Sequence, residues 1–281
     1  MQNTFYGWYL KCQSDAGTLA VIPAMHRTKH QTSCSIQFIT EDNVYTARFP
    51  GSAFWHRGKT IYVGKNYFSE HGMCLSVDTP KLSVKGTLRF GSLTPIKYDI
   101  MGPFALIPFM ECRHHIFSMC HTVAGTVYVN ERKYSFPHSL GYWEGDSGRS
   151  FPKKYAWTQC LFSQGSLMLS VADIPFAGIH FTGIIGIVLW MGREYRLATY
   201  LGAKPAAIEN GVLRIVQHDL CLEVRLLKKA AQPLRAPVMG SMKRTIHESA
   251  ACTAYYHLQK AGQTLFAFES SQASFEYEYP W

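Results

Sequence analysis

Apolar and polar residues alternate along most of this chain, and a period of two is typical of β-strands that bury one face. No long stretch combines capping residues with apolar positions at helical spacing. We therefore predict an all-β protein built from antiparallel strands. The predicted strands cover residues 18–24, 35–39, 44–49, 61–63, 72–77, 84–90, 126–129, 133–136, 184–191, 195–200, 212–217, 222–227, 252–259 and 264–269.

Turn residues separate several of these strands. Asn130-Glu131-Arg132, Gly192-Arg193-Glu194 and the segment 260–263 lie between pairs of alternating runs and predict hairpins. The apolar stretch Ile174–Met191 approaches the length of a membrane span, but it contains Pro175, a histidine and three glycines. Two buried strands joined by a turn explain it better than a transmembrane helix.

The composition supports a large folded core. Hydrophobic residues make up 47% of the 281 residues and charged residues 17%, which excludes global disorder. Aromatic residues account for 14%, and this load fits either ordinary β-sheet cores or a cavity lined with rings. The length allows one large domain or two of about 140 residues each. Both halves show the same pattern of short alternating strands, which favours two domains.

The formal net charge is +9, which favours anionic partners. The basic residues are scattered and accompany no nucleic-acid-binding motif, so we expect a solvated surface and no nucleic-acid partner. Peripheral contact with an anionic membrane remains open. The first residues lack the pattern of a signal peptide, and the eight cysteines include no Cys-x-x-Cys pair. We therefore expect a cytoplasmic protein with reduced thiols.

The segment Gly141–Gln159 carries the strongest chemical signal. Glu144 and Asp146 bracket a glycine and would share one face of an extended chain. Carboxyl groups beside aromatic rings can act as general acids. The alternative is a structural turn in which one carboxylate pairs with Arg149. The segment 135–154 interrupts the strand pattern with Gly and Pro, which predicts a domain junction, a loop at a cavity mouth, or both.

A second cluster runs from Glu111 to His115. Strand alternation places Glu111, Arg113 and His115 on one face and Cys112 and His114 on the other. The spacing matches no zinc-ligand pattern, so we predict a buried polar network that could line a pocket. We predict no metal and no cofactor.

The central segment also resembles a known family. Its residues Tyr142, Glu144, Gly148, Phe151, Pro152, Trp157 and Gln159 fit the tocopherol cyclase signature, roughly Y-x-E-x-x-W-G-x-x-F-P-x-x-[YW]-x-W-x-Q. The run Gly7-Trp8-Tyr9-Leu10-Lys11 is similar to the G-W-Y-x-[KR] start of the same family. Ser147 departs from the pattern, because the family has Trp there, and this puts the substrate in doubt.

The resemblance implies two antiparallel, lipocalin-like barrel or sandwich domains, which we place at residues 1–140 and 141–281. It implies an apolar cavity for a prenylated phenol, a prenylated quinol or a polyene. The activity would be a proton-initiated ring closure, an intramolecular lyase or isomerase reaction; the alternative is a non-catalytic carrier of a lipid-like ligand. The expected catalytic residues are Glu144 and Asp146, and the expected substrate-binding residues are Trp8, Tyr142, Trp157, Glu111, Arg113 and His115.

Overall fold

The computed structural model describes residues 3–107, 110–176, 178–228 and 232–280. Its backbone is almost entirely antiparallel β-structure, which confirms the predicted all-β class. The chain divides into two compact units: unit 1 is residues 1–97, 109–151 and 235–245, and unit 2 is residues 98–108, 152–234 and 246–281. No helix among the described residues is long and apolar enough to cross a membrane.

Unit 1 is organised around an 11-stranded sheet with the order β4-β3-β2-β1-β11-β10-β9-β8-β7-β6-β5. Its strands are β1 (Thr4–Ser14), β2 (Gly17–Arg27), β3 (Thr32–Ile39), β4 (Val44–Pro50), β5 (Phe54–Arg57), β6 (Thr60–Val63), β7 (Asn66–Ser69), β8 (Gly72–Thr79), β9 (Leu82–Phe90), β10 (Cys112–Val129) and β11 (Arg132–Gly148). A short 3₁₀ turn lies at Gly51–Ala53, and a second one, Gly102–Leu106, belongs to unit 2.

Unit 2 contains a 10-stranded sheet with the order β15-β14-β13-β12-β21-β20-β18-β17-β16, and β19 pairs with β20. The strands of this sheet are β12 (Tyr155–Phe162), β13 (Gly165–Phe176), β14 (Ile179–Trp190), β15 (Arg193–Ala198), β16 (Lys204–Glu209), β17 (Val212–Gln217), β18 (Leu220–Lys228), β19 (Gln232–Val238), β20 (Ser241–Lys260) and β21 (Gln263–Tyr277). The residues of β19 and β20 between 235 and 245 belong to unit 1. A 3₁₀ turn lies at Thr199–Leu201.

Each sheet curves so that one face encloses a hydrophobic core. In unit 1, Leu10 of β1 and Ile36 of β3 belong to the same buried cluster as Ile61 of β6 and Leu75 of β8, although these strands are far apart in the sheet. Unit 2 has its own cluster, formed by alternate residues of its strands. Burial of apolar surface at about 25 cal/mol per Å² makes these two cores the main source of stability.

The two sheets share a topology. In unit 1 the first strand, β1, pairs with the long strand β11, and in unit 2 the first strand, β12, pairs with the last strand, β21. The registers correspond: Tyr9 lies opposite Glu144, and Trp157 lies opposite Glu276. Cys12 lies three residues after Tyr9, Cys160 lies three residues after Trp157, and both cysteines are fully buried. The two units therefore share one arrangement of strands around their first strand.

The segment 135–154 is a continuous strand up to Gly148, not a loop, and then a short connection to β12. The boundary between the two compact units lies in this connection, because unit 1 continues to Phe151. The division that the sequence analysis places after residue 140 lies within β11. The predicted hairpins are confirmed, and Asn130 has the positive φ of 53° that a two-residue turn requires. None of the eight cysteines forms a disulfide.

Candidate active site

β11 presents two chemically different faces near its end. Trp143 belongs to the hydrophobic core of unit 1, so Tyr142, Glu144 and Asp146 point to the opposite face by strand alternation. That second face is also buried where Tyr142 and Glu144 lie. The sheet therefore separates an apolar core from a buried polar cluster, which consists of Tyr142, Glu144, Asp146 and their partner on β10, His114.

Hydrogen bonds and ion-pair contacts link this polar cluster into a chain. The Tyr142 hydroxyl donates to Oε2 of Glu144 at 2.5 Å. The same carboxylate oxygen lies 3.1 Å from Nε2 of His114. On the other side of the imidazole, Nδ1 is 2.9 Å from Oδ1 of Asp146. One imidazole ring thus bridges two carboxylates through its two nitrogens.

The charges of the polar cluster control the protonation of the ring. Burial disfavours the imidazolium, but the attraction of Glu144 and Asp146 outweighs it, and the pKa of His114 lies well above its ordinary value of 6.5. Burial, followed by the negative charge of Glu144, raises the pKa of the Tyr142 phenol well above 10.0. His114 is therefore an imidazolium at neutral pH and Tyr142 a neutral donor.

Neighbouring strands add further groups to the same face. Lys11 lies opposite Tyr142 and is fully buried, and Tyr9 lies opposite Glu144. The Cys112 thiol donates to Oδ1 of Asp146 at 3.5 Å, and burial raises its pKa well above 9.0, so it remains protonated. The face therefore combines charged groups with an aromatic ring.

Accessibility increases along the chain of contacts. Tyr142 has no exposed surface, and the side chains of Glu144 and His114 are only 5% and 9% exposed. The side chain of Asp146 is 24% exposed. A molecule that reaches the polar cluster would therefore meet Asp146 first.

His114, Glu144 and Asp146 are also residue types that bind metal ions, and their ligand atoms lie within 4.8 Å of one another. The two carboxylates, however, approach opposite nitrogens of one ring. A metal ion bound to either nitrogen of His114 would lie on the opposite side of the ring from one of the two carboxylates. The arrangement suits a shared proton better than a single shared ion.

The core face opposite the polar cluster is filled with aromatic rings. Trp143 stacks on Phe117 with the ring centroids 4.3 Å apart, and Trp8 packs edge-on against both. Gly145 lies beneath these rings, because a Cβ atom there would come within 2.8 Å of Trp8 Cδ1. The glycine between the two carboxylates is thus required by packing on the other face.

The structure brings together only part of the expected site. Glu144, Asp146 and Tyr142 meet, but Trp8 lies on the opposite face of the sheet. Arg113 and His115 pair with Ser147 and Gly145 on that opposite face, and both are exposed.

The other expected and missed residues follow from the same strand geometry. Glu111 precedes β10, and its backbone oxygen accepts hydrogen bonds from the amides of Arg149 and Ser150. Trp157 belongs to β12 in unit 2. Within the polar cluster, the residue that the sequence prediction missed is His114. Alternation places His114 on the face that bears the polar cluster, whereas the predicted binding residues Arg113 and His115 lie on the other face of the strand.

Comparisons with known proteins find similarity in structure alone. No protein-family model matches the chain, and no curated protein matches its sequence. Among solved structures, CghA has a TM-score of 0.62 and 9% identity, and the match covers 98% of this chain and 88% of that one. Kievitone hydratase from Nectria haematococca has a TM-score of 0.58 and 9% identity, covering 98% and 89%.

A third solved structure, a candidate AttH from Nitrosomonas europaea, has a TM-score of 0.57 and 8% identity, covering 100% of this chain and 93% of that one. These matches span both units and show that the chain has this two-unit, lipocalin-like all-β fold. At such low identity they show the fold only, and function must be argued from the site.

Proposed function

We propose that this protein is an acid–base catalyst that protonates an alkene of an apolar prenylated phenol or quinol and so closes a ring. The observation that carries the proposal is the position of the buried His114 ring between Glu144 and Asp146, whose charges raise its pKa well above the ordinary value. A dissociable proton in a dry environment, next to a partly accessible carboxylate, is what protonation of an alkene requires.

The proposed step is an isomerisation, so every atom of the substrate is retained. Asp146, in its acid form after receiving the Nδ1 proton of His114, transfers the proton to the less substituted alkene carbon. The π electrons form the new C–H bond, and a tertiary cation remains. The phenol oxygen attacks this cation, forms the C–O bond of the ring and releases its proton to the carboxylate of Asp146, which restores the acid.

Asp146 is proposed as the donor because it is the most exposed member of the polar cluster. Glu144 then acts through His114, from the side of the imidazole that faces away from Asp146. Its negative charge keeps His114 protonated between turnovers, and the Tyr142 hydroxyl fixes the orientation of Glu144. Tyr9, opposite Glu144, offers an aromatic ring that can stabilise a developing cation.

The resemblance of Tyr142, Glu144 and the Gly148–Gln159 segment to the tocopherol cyclase signature supports the choice of substrate class. One structural neighbour is named as a hydratase. Protonation of an alkene followed by attack of water would be the corresponding reaction here, with the same acid. Ring closure and hydration are distinguished by their products, since hydration adds one water to the substrate.

The proposal is tested by incubating the full chain with geranylgeranyl hydroquinone and analysing the products by liquid chromatography and mass spectrometry. We expect a product of unchanged mass that has lost one alkene. Asp146→Asn should abolish its formation and leave substrate binding intact. Glu144→Gln should lower kcat more than it changes KM.

A matched control is available on the surface of unit 2. Asp173 pairs with the exposed His180 at 3.0 Å, so Asp173→Asn breaks a similar Asp–His contact that involves no residue of the polar cluster. It should turn over like the wild type. Binding of the quinol without any product, in the wild type as in the variants, would contradict catalysis and leave the carrier function.

A further inference from the structure

Unit 2 has a buried face that corresponds to the one bearing the polar cluster in unit 1. On β12, Ala156 and Cys160 belong to the hydrophobic core of unit 2. The alternate residues Tyr155, Trp157 and Gln159 therefore point to the opposite face. The Tyr155 hydroxyl donates a short hydrogen bond to Glu276 of β21, which confirms that both side chains lie on that face.

Gln159 occupies an unusual environment on this face. Its side chain is fully buried, and neither Oε1 nor Nε2 has a hydrogen-bond partner among the described residues. Buried amides are almost always paired, because leaving one unpaired costs the full desolvation of its polar atoms. A carboxamide that folding leaves without a partner points to a partner from outside the chain.

The surroundings of Gln159 indicate the chemistry of that partner. Met168 and Ser274 lie directly opposite Gln159 on the two neighbouring strands, and Met168 is fully buried. Trp157, two residues before Gln159 on the same face, is 6% exposed. Glu276, opposite Trp157, disfavours an anion. The surroundings therefore combine the apolar Met168 and an aromatic ring with a serine and a carboxyl group, and they suit a neutral group that is largely apolar.

We propose that this face of unit 2 is a second ligand site, where Gln159 binds the hydroxyl group of an apolar phenol. A carboxamide presents a donor and an acceptor side by side. A phenolic hydroxyl also donates and accepts, so it can satisfy both atoms of Gln159, whereas an ether oxygen can only accept. The site is independent of the proposed catalysis in unit 1, because it uses residues of unit 2 alone.

Octylphenol and its methyl ether, octylanisole, are suitable probes, because they differ only in the hydroxyl proton and one methyl group. We expect the wild-type protein to bind octylphenol more tightly in isothermal titration calorimetry. Gln159→Met, which keeps the side-chain volume, should weaken octylphenol binding about tenfold and remove the preference over octylanisole. Its unfolding midpoint should stay unchanged or rise, because no hydrogen bond with another described residue is lost.

Gln217 provides the matched control. It is also a buried glutamine of unit 2, but its Oε1 accepts from the Ala198 amide and its Nε2 donates to the Arg196 oxygen, both at 2.9 Å. Gln217→Met should therefore lower the unfolding midpoint and leave the preference for octylphenol unchanged. Gln159→Asn, which withdraws the amide by one methylene, tests the same point if Gln159→Met does not fold.

Any of the following results would overturn the proposal. The wild-type protein could bind neither probe or bind both equally. Either Gln159 variant could keep the wild-type preference. Gln159→Met could lower the unfolding midpoint as Gln217→Met does, with the preference intact, which would mean that the amide holds only buried water. None of these outcomes depends on whether geranylgeranyl hydroquinone is turned over, so the two proposals fail separately.

Discussion

Nε2 of His114 lies 3.1 Å from Oε2 of Glu144, on the side of the ring that faces away from Asp146. Glu144 therefore stabilises the imidazolium without occupying the nitrogen that contacts Asp146. The more exposed carboxylate is left to exchange a proton with a ligand. The two carboxylates, two residues apart in the sequence, consequently have different roles.

His114 should remain protonated at pH values well above its ordinary pKa of 6.5. Because its native pKa is raised, its contribution to stability is present below pH 6.5 and is lost as the pH rises through the native value. A titration of the imidazole nitrogens by NMR measures this pKa. Glu144→Gln should lower it, and an unchanged value in that variant would show that Glu144 does not hold the proton on the ring.

Tyr142→Phe removes the hydroxyl that donates to Glu144 at 2.5 Å. Since both residues are buried, we expect a loss of about 1–3 kcal/mol in the free energy of unfolding, measured by denaturant titration. Tyr128→Phe, at an exposed position of β10, is the control and should change stability by less than about 0.5 kcal/mol. Equal free energies of unfolding for the two variants would mean that the hydrogen bond from Tyr142 to Glu144 makes no net contribution to stability.

Gly145→Ala should destabilise unit 1, although the substitution adds only one methyl group. The new Cβ would lie 2.8 Å from Trp8 Cδ1 and 3.0 Å from Phe117 Cε2, so the rings must move apart. Overpacking of this kind costs about 1–3 kcal/mol. Thermal unfolding, compared with Ser147→Ala on the same strand, measures it, and similar midpoints for the two variants would refute the packing role.

His26 and His121 should make the protein sensitive to acid. Burial lowers the pKa of each to about 4, whereas the unfolded chain takes up the proton near 6.5. Stability should therefore fall as the pH drops from 6.5 towards 4, by about 1.4 kcal/mol per pH unit for each histidine. His121→Gln should reduce the slope of the free energy of unfolding against pH, and an unchanged slope would contradict this assignment.

Alternation predicted the strands well wherever the chain buries one face and exposes the other. It failed at β11, where Gly141 and Gly145 resemble turn residues, and the predicted strands also omit β1, β12 and β13. The structure gives a different reason for them: a Cβ at Gly141 would meet Nε2 of His121 at 2.5 Å, and Gly145 makes room for Trp8. The space that a neighbouring strand needs is not visible in a single sequence.

The sequence predicts only part of the candidate site, because the rest depends on how neighbouring strands pair. Glu144 and Asp146 were found because they share a face two residues apart, which alternation fixes. Their partner His114 depends on how β10 pairs with β11, where His114 lies opposite Asp146. That register links residues about thirty positions apart and is set by the packed sheet. Gln159 was missed because its lack of a partner is a property of the folded structure.

Carbon-bound deuterium in the product tests the central claim most directly. If the polar cluster protonates the alkene, geranylgeranyl hydroquinone incubated with the wild-type protein in deuterium oxide should give a ring-closed product with one non-exchangeable deuterium, on the carbon next to the cation centre. Asp146→Asn should give none. A ring-closed product without deuterium, or one formed equally well by Asp146→Asn, would contradict the account.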